Sequence, residues 1–145
     1  MQHFGNIIIQ ELGHYVCGTG EGNLSQMLGQ VLRSRKMRIC TAESCTGGAI
    51  SRLITEVPGA SDYFQGAVVS YASESKIELL GVSSQTLDSE GVVSEQTARK
   101  MVLGACKLFH ADLAIASTGV AGLPAAPPRR PRGLAGLQPE MKKTS

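Results

Sequence analysis

The sequence predicts an α/β domain in which helices cover a sheet. Two observations carry this. Runs with helical apolar spacing alternate with short strand-like runs between residues 23 and 122. Three glycine- or serine-bearing loops each follow one of the strand-like runs: Glu43 to Gly48, Ala72 to Lys76 and Thr118 to Gly122. Composition agrees, with 42% hydrophobic and 18% charged residues in 145, enough to fill one core and too apolar for a disordered chain.

The elements follow in order. Asn23 and Gln26 form a capping-box pattern ahead of Leu24, Met27, Leu28, Val31 and Leu32, which share one helical face. Arg33, Arg35 and Lys36 close that helix, where cations suit its dipole. Met37 to Ala42 reads as a strand, and Ile50, Leu53, Ile54 and Val57 as a second helix stopped by Pro58-Gly59. Gly66 to Tyr71 is strand-like. Ile77, Leu79 and Leu80 mark a third helix ending at Gly81. Ser94 caps a fourth, with Ala98, Met101, Val102, Ala105, Leu108 and Phe109 on its inner face, and Asp112 to Ser117 is the last strand of the series.

The flanks differ. Residues 1–22 read as a lead-in ending in a glycine-rich linker, and residues 123–145, with Pro124, Pro127, Pro128, Arg129, Arg130, Pro131 and Arg132, as a disordered or aberrant tail. The domain proper is expected over 23–122. A net charge of +2 and 4% aromatics argue against a nucleic-acid surface. The longest apolar stretches, such as Ile7 to Ile9, fall far short of the ~20 residues a bilayer requires, so no membrane partner is expected. No secretory signal is visible, and the four cysteines lack C-x-x-C spacing, so reduced thiols in a cytoplasmic protein and no metal are the expectation.

Ligands of open α/β sheets gather at the carboxyl ends of strands, so the three loops should share one crevice. The loop Glu43-Ser44-Cys45-Thr46-Gly47-Gly48 runs from a strand into a helix. N–H groups at such a turn can hold a phosphate or the developing oxyanion of acyl transfer. The plainer reading is a helix cap. Pattern alone does not choose between Ser44 and Cys45 as nucleophile. His3, His14 and His110 lie away from these loops, so a Ser-His-Asp arrangement has little support. Tyr71 and Lys76 are better placed, because a desolvated lysine can serve as a base. The competing readings are a solvated lysine between Glu74 and Glu78 and a packing tyrosine.

The blocks Thr41-Ala42-Glu43-Ser44-Cys45-Thr46-Gly47-Gly48, Pro58-Gly59-Ala60-Ser61, Gly66 to Tyr71 with Lys76, Leu80-Gly81-Val82, Gly91 to Glu95 and Thr118-Gly119-Val120-Ala121-Gly122 together resemble the CinA C-terminal domain family. The resemblance implies a three-layer α/β/α sandwich around a mixed sheet. It implies a nicotinamide-nucleotide amidohydrolase that turns nicotinamide mononucleotide into nicotinic acid mononucleotide and ammonia, with no cofactor. Ser44 would be the nucleophile, and Tyr71 and Lys76 its proton relay. Cys45, Thr46, Gly47 and Gly48 would form the oxyanion and substrate site with Thr118, Gly119 and Gly122. It also implies a homo-oligomer, for which a dimer is expected. The lead-in from Ile8 is similar to the segment joining the two domains of full-length CinA proteins, which suggests that an N-terminal domain is absent. Ser73 stands where the family has Asn. After Gly122 the family pattern fails: Pro124-Ala125-Ala126 replaces glycines, and no further strand or helix is legible, as a truncated or frame-shifted copy would give. A non-catalytic competence-associated binding module and an inactive gene fragment are the alternatives.

Overall fold

The computed structural model describes residues 22–120 and the backbone of 134–139. Helix α1 (Leu24–Arg35) is followed by β1 (Ile39–Glu43), α2 (Ala49–Thr55), a 3-10 turn (Ala60–Asp62) and β2 (Phe64–Val69). Then come α3 (Ser73–Leu80), α4 (Ser84–Glu90), α5 (Glu95–Phe109), β3 (Leu113–Thr118) and β4 (Leu134–Pro139). The strand order is β2-β1-β3-β4, with β1 parallel to both β2 and β3 and β4 antiparallel to β3. The sheet is therefore mixed.

The three layers follow from strand alternation. Ile39, Leu113 and Ile115 face α1 and α2, packing with Leu28, Leu32, Ile50, Ile54 and Tyr63. Cys40, Ala42, Ala114 and Ala116 point the other way, against Met101, Val102, Ala105 and Cys106 of α5. Small residues on that face let α5 lie close to the sheet. Burial, and next the neighbouring Cys106 thiol, push the Cys40 thiol up to about 12, so it behaves as a small core residue. Cys40, Cys45 and Cys106 are not in disulfides.

The termini of the helices are chemically specified. The capping box on α1 is complete: Asn23 Oδ1 accepts from the Gln26 N–H at 2.9 Å, and Gln26 Oε1 accepts from the Asn23 N–H at 3.0 Å. Ser94 Oγ accepts from the Thr97 N–H at 3.1 Å to start α5. Arg33 donates to Asp62 Oδ2 at 3.1 Å and to the Pro58 carbonyl at 2.8 Å, which ties the end of α1 to the turn before β2.

Two elements depart from the sequence expectation. Helix α4 was not anticipated, because Ser84–Glu90 has one apolar residue, Leu87, and no period to detect. It forms because Ser83 caps the Thr86 N–H at 3.2 Å and Leu87 is buried beneath it. The expectation of no further strand after Gly122 is corrected by β4, whose Leu134 to Pro139 pair in register with Thr118 to Leu113. Strand pairing is a main-chain interaction, and this stretch holds no proline before its last residue, so it can add to the open edge of β3 without an apolar period. The remainder of the tail, the expected absence of a terminal helix and all of the lead-in but Gly22 fall outside the described residues. Among the described residues, no helix is long and apolar enough to cross a membrane.

Candidate active site

The parallel register sets Glu43 beside Val69, so the loops after β1 and β2 leave the sheet together, with the carboxyl end of β3 on the other side of β1. Ser44, the first residue past β1, is 5% exposed. Lys76, on the first turn of α3, is fully buried. Its Nζ lies 3.1 Å from Ser44 Oγ, 2.6 Å from the Ser70 carbonyl and 3.3 Å from the Tyr71 carbonyl. Burial holds the amine below the usual lysine range, with the Cys45 sulfur working in the opposite direction. The solvated-lysine reading is thereby set aside.

The geometry makes a specific proton arrangement available. A neutral amine has two N–H donors and one lone pair. The two carbonyls accept the donors, and the lone pair is left facing the Ser44 hydroxyl. A protonated amine would instead give its third N–H to Ser44 Oγ. In either state the amine keeps the same three partners, so a change of its protonation needs little rearrangement.

The turn that carries Ser44 is organised by Glu43. Its carboxylate is fully buried, yet it accepts from the Thr46 hydroxyl at 2.7 Å, the Gly48 and Ile50 N–H groups at 3.0 Å each and the Ser51 N–H at 2.8 Å. Burial alone would raise its pKa; the hydrogen bonds from Ser51, Thr46 and Ile50 outweigh this and hold it below the usual carboxylate range. Thr46 Oγ1 also lies 2.6 Å from Ser117 Oγ, which accepts from the Ser44 N–H at 3.4 Å.

This speaks against the phosphate alternative for the start of α2. Its leading N–H groups are taken by a protein carboxylate, and the Ala49 N–H by the Thr46 carbonyl at 3.0 Å. The Gly47 N–H closes a turn onto the Ser44 carbonyl at 3.1 Å. That leaves the N–H groups of Cys45 and Thr46 as the donors of this turn with no acceptor among the described residues.

The other expected residues divide. Tyr71 reaches Lys76 through its carbonyl, while its side chain is 68% exposed and its hydroxyl has no hydrogen-bond partner among the described residues. Thr118 is fully buried and donates to the Val92 carbonyl at 2.8 Å, so it anchors the loop before α5. Gly119 is half-buried at the end of β3, and Gly122 lies outside the described residues. Among the described residues no group of three or more His, Cys, Asp or Glu could hold a metal ion. Sequence reasoning passed over Glu43, Ser70 and Ser117. A carboxylate on the last residue of a buried strand, just ahead of a helix start, was the available signal for the first. Ser70 contributes a carbonyl, which no side-chain pattern reports.

The sequence pattern of the CinA C-terminal domain matches residues 21–142. The chain belongs to the CinA C-terminal domain family. A putative competence-damage inducible protein of Symbiobacterium thermophilum is 44% identical over 126 residues, 87% of this chain and 30% of that protein. A CinA-like protein of Chlorobium limicola is 40% identical over 115 residues, 79% of this chain and 27% of that protein. The chain thus spans less than a third of the length of these relatives. Among solved structures, a competence or damage-inducible protein of Enterobacter asburiae matches with a TM-score of 0.72 at 26% identity, covering 83% of this chain and 84% of that one. A CinA superfamily protein of Escherichia coli matches with a TM-score of 0.71 at 28% identity, over 80% and 74% of the two chains. These agree with the α/β fold described above.

Proposed function

We propose that this CinA-family chain is a serine amidohydrolase acting on nicotinamide mononucleotide. The observation that carries the reaction type is the buried Lys76 amine 3.1 Å from the Ser44 hydroxyl, oriented by two carbonyls. The choice of substrate comes from the family resemblance.

In this reading Lys76 takes the Ser44 proton as Oγ attacks the carboxamide carbon. The carbonyl oxygen becomes an oxyanion, held by the Cys45 and Thr46 N–H groups, each donor contributing ~3 kcal/mol in comparable sites. Collapse breaks the C–N bond. Lys76 returns the proton to the departing nitrogen, which leaves as ammonia. Water then attacks the acyl-serine ester with Lys76 again as base, which releases the carboxylate product and restores the hydroxyl. The half-buried Cys45 thiol acts on Lys76 only electrostatically, whereas Ser44 Oγ is hydrogen-bonded to it, which favours Ser44 as the nucleophile. The Tyr71 phenol, exposed at the end of β2, joins the relay only by turning inward over bound substrate. Thr118 and Gly119, at the carboxyl end of β3, are the described residues on the substrate-facing side in this reading.

The test is ammonia release from nicotinamide mononucleotide by the full chain, with Ser44→Ala and Cys45→Ala in parallel. Turnover lost in Ser44→Ala and kept in Cys45→Ala is expected. Equal turnover by Ser44→Ala removes the proposed nucleophile. No turnover by a folded wild-type sample removes the substrate assignment and favours a binding module.

A further inference from the structure

Glu43 stands out among the groups that the reaction above does not use. It is an anion with no exposed surface, and the described residues place no cation against it. Its neutralisation comes from hydrogen-bond donors of one short segment, residues 46–51, together with the Thr41 hydroxyl at 3.4 Å. A group arranged only to start α2 would need one or two of those contacts. Instead the carboxylate collects the N–H groups of Gly48, Ile50 and Ser51, and the Thr46 hydroxyl links it to Ser117 and so to the Ser44 backbone.

We propose that Glu43 is a positioning residue for Ser44: it occupies the amino end of α2 and, through Thr46 and Ser117, holds the turn so that only the Cys45 and Thr46 N–H groups are offered to an acyl oxygen. This rests on Ser44 being the nucleophile, as argued above. The consequence is a division of labour between the buried ionisable groups flanking Ser44. Lys76 moves the proton, and Glu43 stays ionised and fixes geometry. A further consequence concerns specificity. With a resident carboxylate on its leading N–H groups, α2 rejects the phosphate of a nucleotide and leaves the turn to the carboxamide.

The experiment separates this from the substrate assignment by using a probe with no nucleotide. A fluorophosphonate reacts with an activated serine and places its phosphoryl oxygen where the oxyanion would sit. The labelling rate of the Ser44 peptide is followed by mass spectrometry, beside kcat and KM on nicotinamide mononucleotide. Glu43→Gln keeps the shape but turns an NH2 group toward N–H donors. Labelling of the folded fraction, defined by near-ultraviolet circular dichroism, is expected to slow ~100-fold, as displacement of a reacting group by about 1 Å does. In turnover, kcat should fall with KM unchanged. A role in folding alone would leave the labelling rate per folded molecule at the wild-type value, and that result overturns the proposal.

Should Glu43→Gln fail to fold, Thr46→Val removes only the hydroxyl link, which spans 2.7 Å to Glu43 and 2.6 Å to Ser117. It should slow labelling ~10-fold or more, with Thr46→Ser recovering most of the loss. Wild-type labelling in Thr46→Val overturns the proposal, as does wild-type protein that never labels at Ser44. Wild-type protein that labels but releases no ammonia overturns the substrate assignment and leaves the role of Glu43 standing on the labelling series.

Discussion

Gly104→Ala tests whether the approach of α5 to α3 sets the distance between Lys76 and Ser44. A Cβ at Gly104 would lie 1.9 Å from the Leu80 carbonyl oxygen and 2.7 Å from its carbon, both backbone atoms. Ordinary contact begins at 3.4 Å, so the end of α3 must retreat by about 1.5 Å or α5 must tilt. Alanine favours a helix over glycine by ~1 kcal/mol, so an exposed site would be stabilised. Overpacking of a rigid contact costs ~3 kcal/mol, which leaves a net loss of ~2 kcal/mol. For a domain of this size that lowers Tm by ~8 °C. Lys76 lies one turn before Leu80 on the same short helix, so the displacement reaches the amine. A shift of ~1 Å at a reacting group lowers the rate ~100-fold. Thermal melting and Ser44 labelling by a fluorophosphonate measure the two effects on one sample. A Gly104→Ala protein that melts at or above the wild-type temperature and labels at the wild-type rate would refute the claim that this helix contact governs the site.

Lys76→Met keeps the unbranched stem of the side chain and removes the amine; ammonia release should fall by at least ~100-fold, the usual range for loss of a general base. The pH profile of kcat/KM should show an acid limb that rises to a plateau below the ordinary lysine value of 10.5, because the amine must be neutral to act and burial lowers its pKa. A limb centred at or above that value would contradict the assignment. Lys76 also affects stability: between its lowered folded pKa and 10.5 the unfolded chain binds one more proton than the folded one, so stability rises with pH across that window and Lys76→Met flattens the rise. Asn23→Ala removes one half of the α1 capping box and should cost ~1 kcal/mol in a urea melt without changing Ser44 labelling.

What was legible in the sequence was whatever a period or a cap encodes. Asn23, Ser94 and Gly81 announced helix boundaries, and the short strand-like runs announced β1 and β3. Helix α4 escaped because a polar heptapeptide over one leucine carries no period. Strand β4 escaped because main-chain pairing leaves little trace in side chains. In the site, Ser44 and Lys76 were named from their motif blocks, but the 32-residue separation between them hides that two carbonyls aim the amine. The expected free N–H groups at α2 were wrong for a related reason. Their acceptor, Glu43, lies on a different element, five residues before the N-cap Gly48.

The distribution of buried polarity argues that this end of the sheet is built for chemistry. Thr41, Glu43, Ser70, Lys76 and Thr118 have no exposed surface, and Ser44 and Ser117 have 5% each. Farther down the same strands the interior is alanine, isoleucine, leucine and cysteine. Burying a carboxylate and an amine costs several kcal/mol in desolvation, which the hydrogen bonds to each must offset. Among the described residues Glu43 and Lys76 are not paired with one another, as a structural ion pair would be. Each is instead satisfied by hydrogen bonds that fix its direction, the amine toward Ser44 and the carboxylate toward the turn that carries it. Such an arrangement gains orientation rather than stability. Replacing both residues by apolar ones, Glu43→Leu with Lys76→Met, leaves the Gly48, Ile50 and Ser51 N–H groups and the Ser70 carbonyl without partners, at ~1–3 kcal/mol each, so Tm should fall by more than ~10 °C and Ser44 labelling should be lost; a double variant that melts at the wild-type temperature would show that these bonds do not hold the turn.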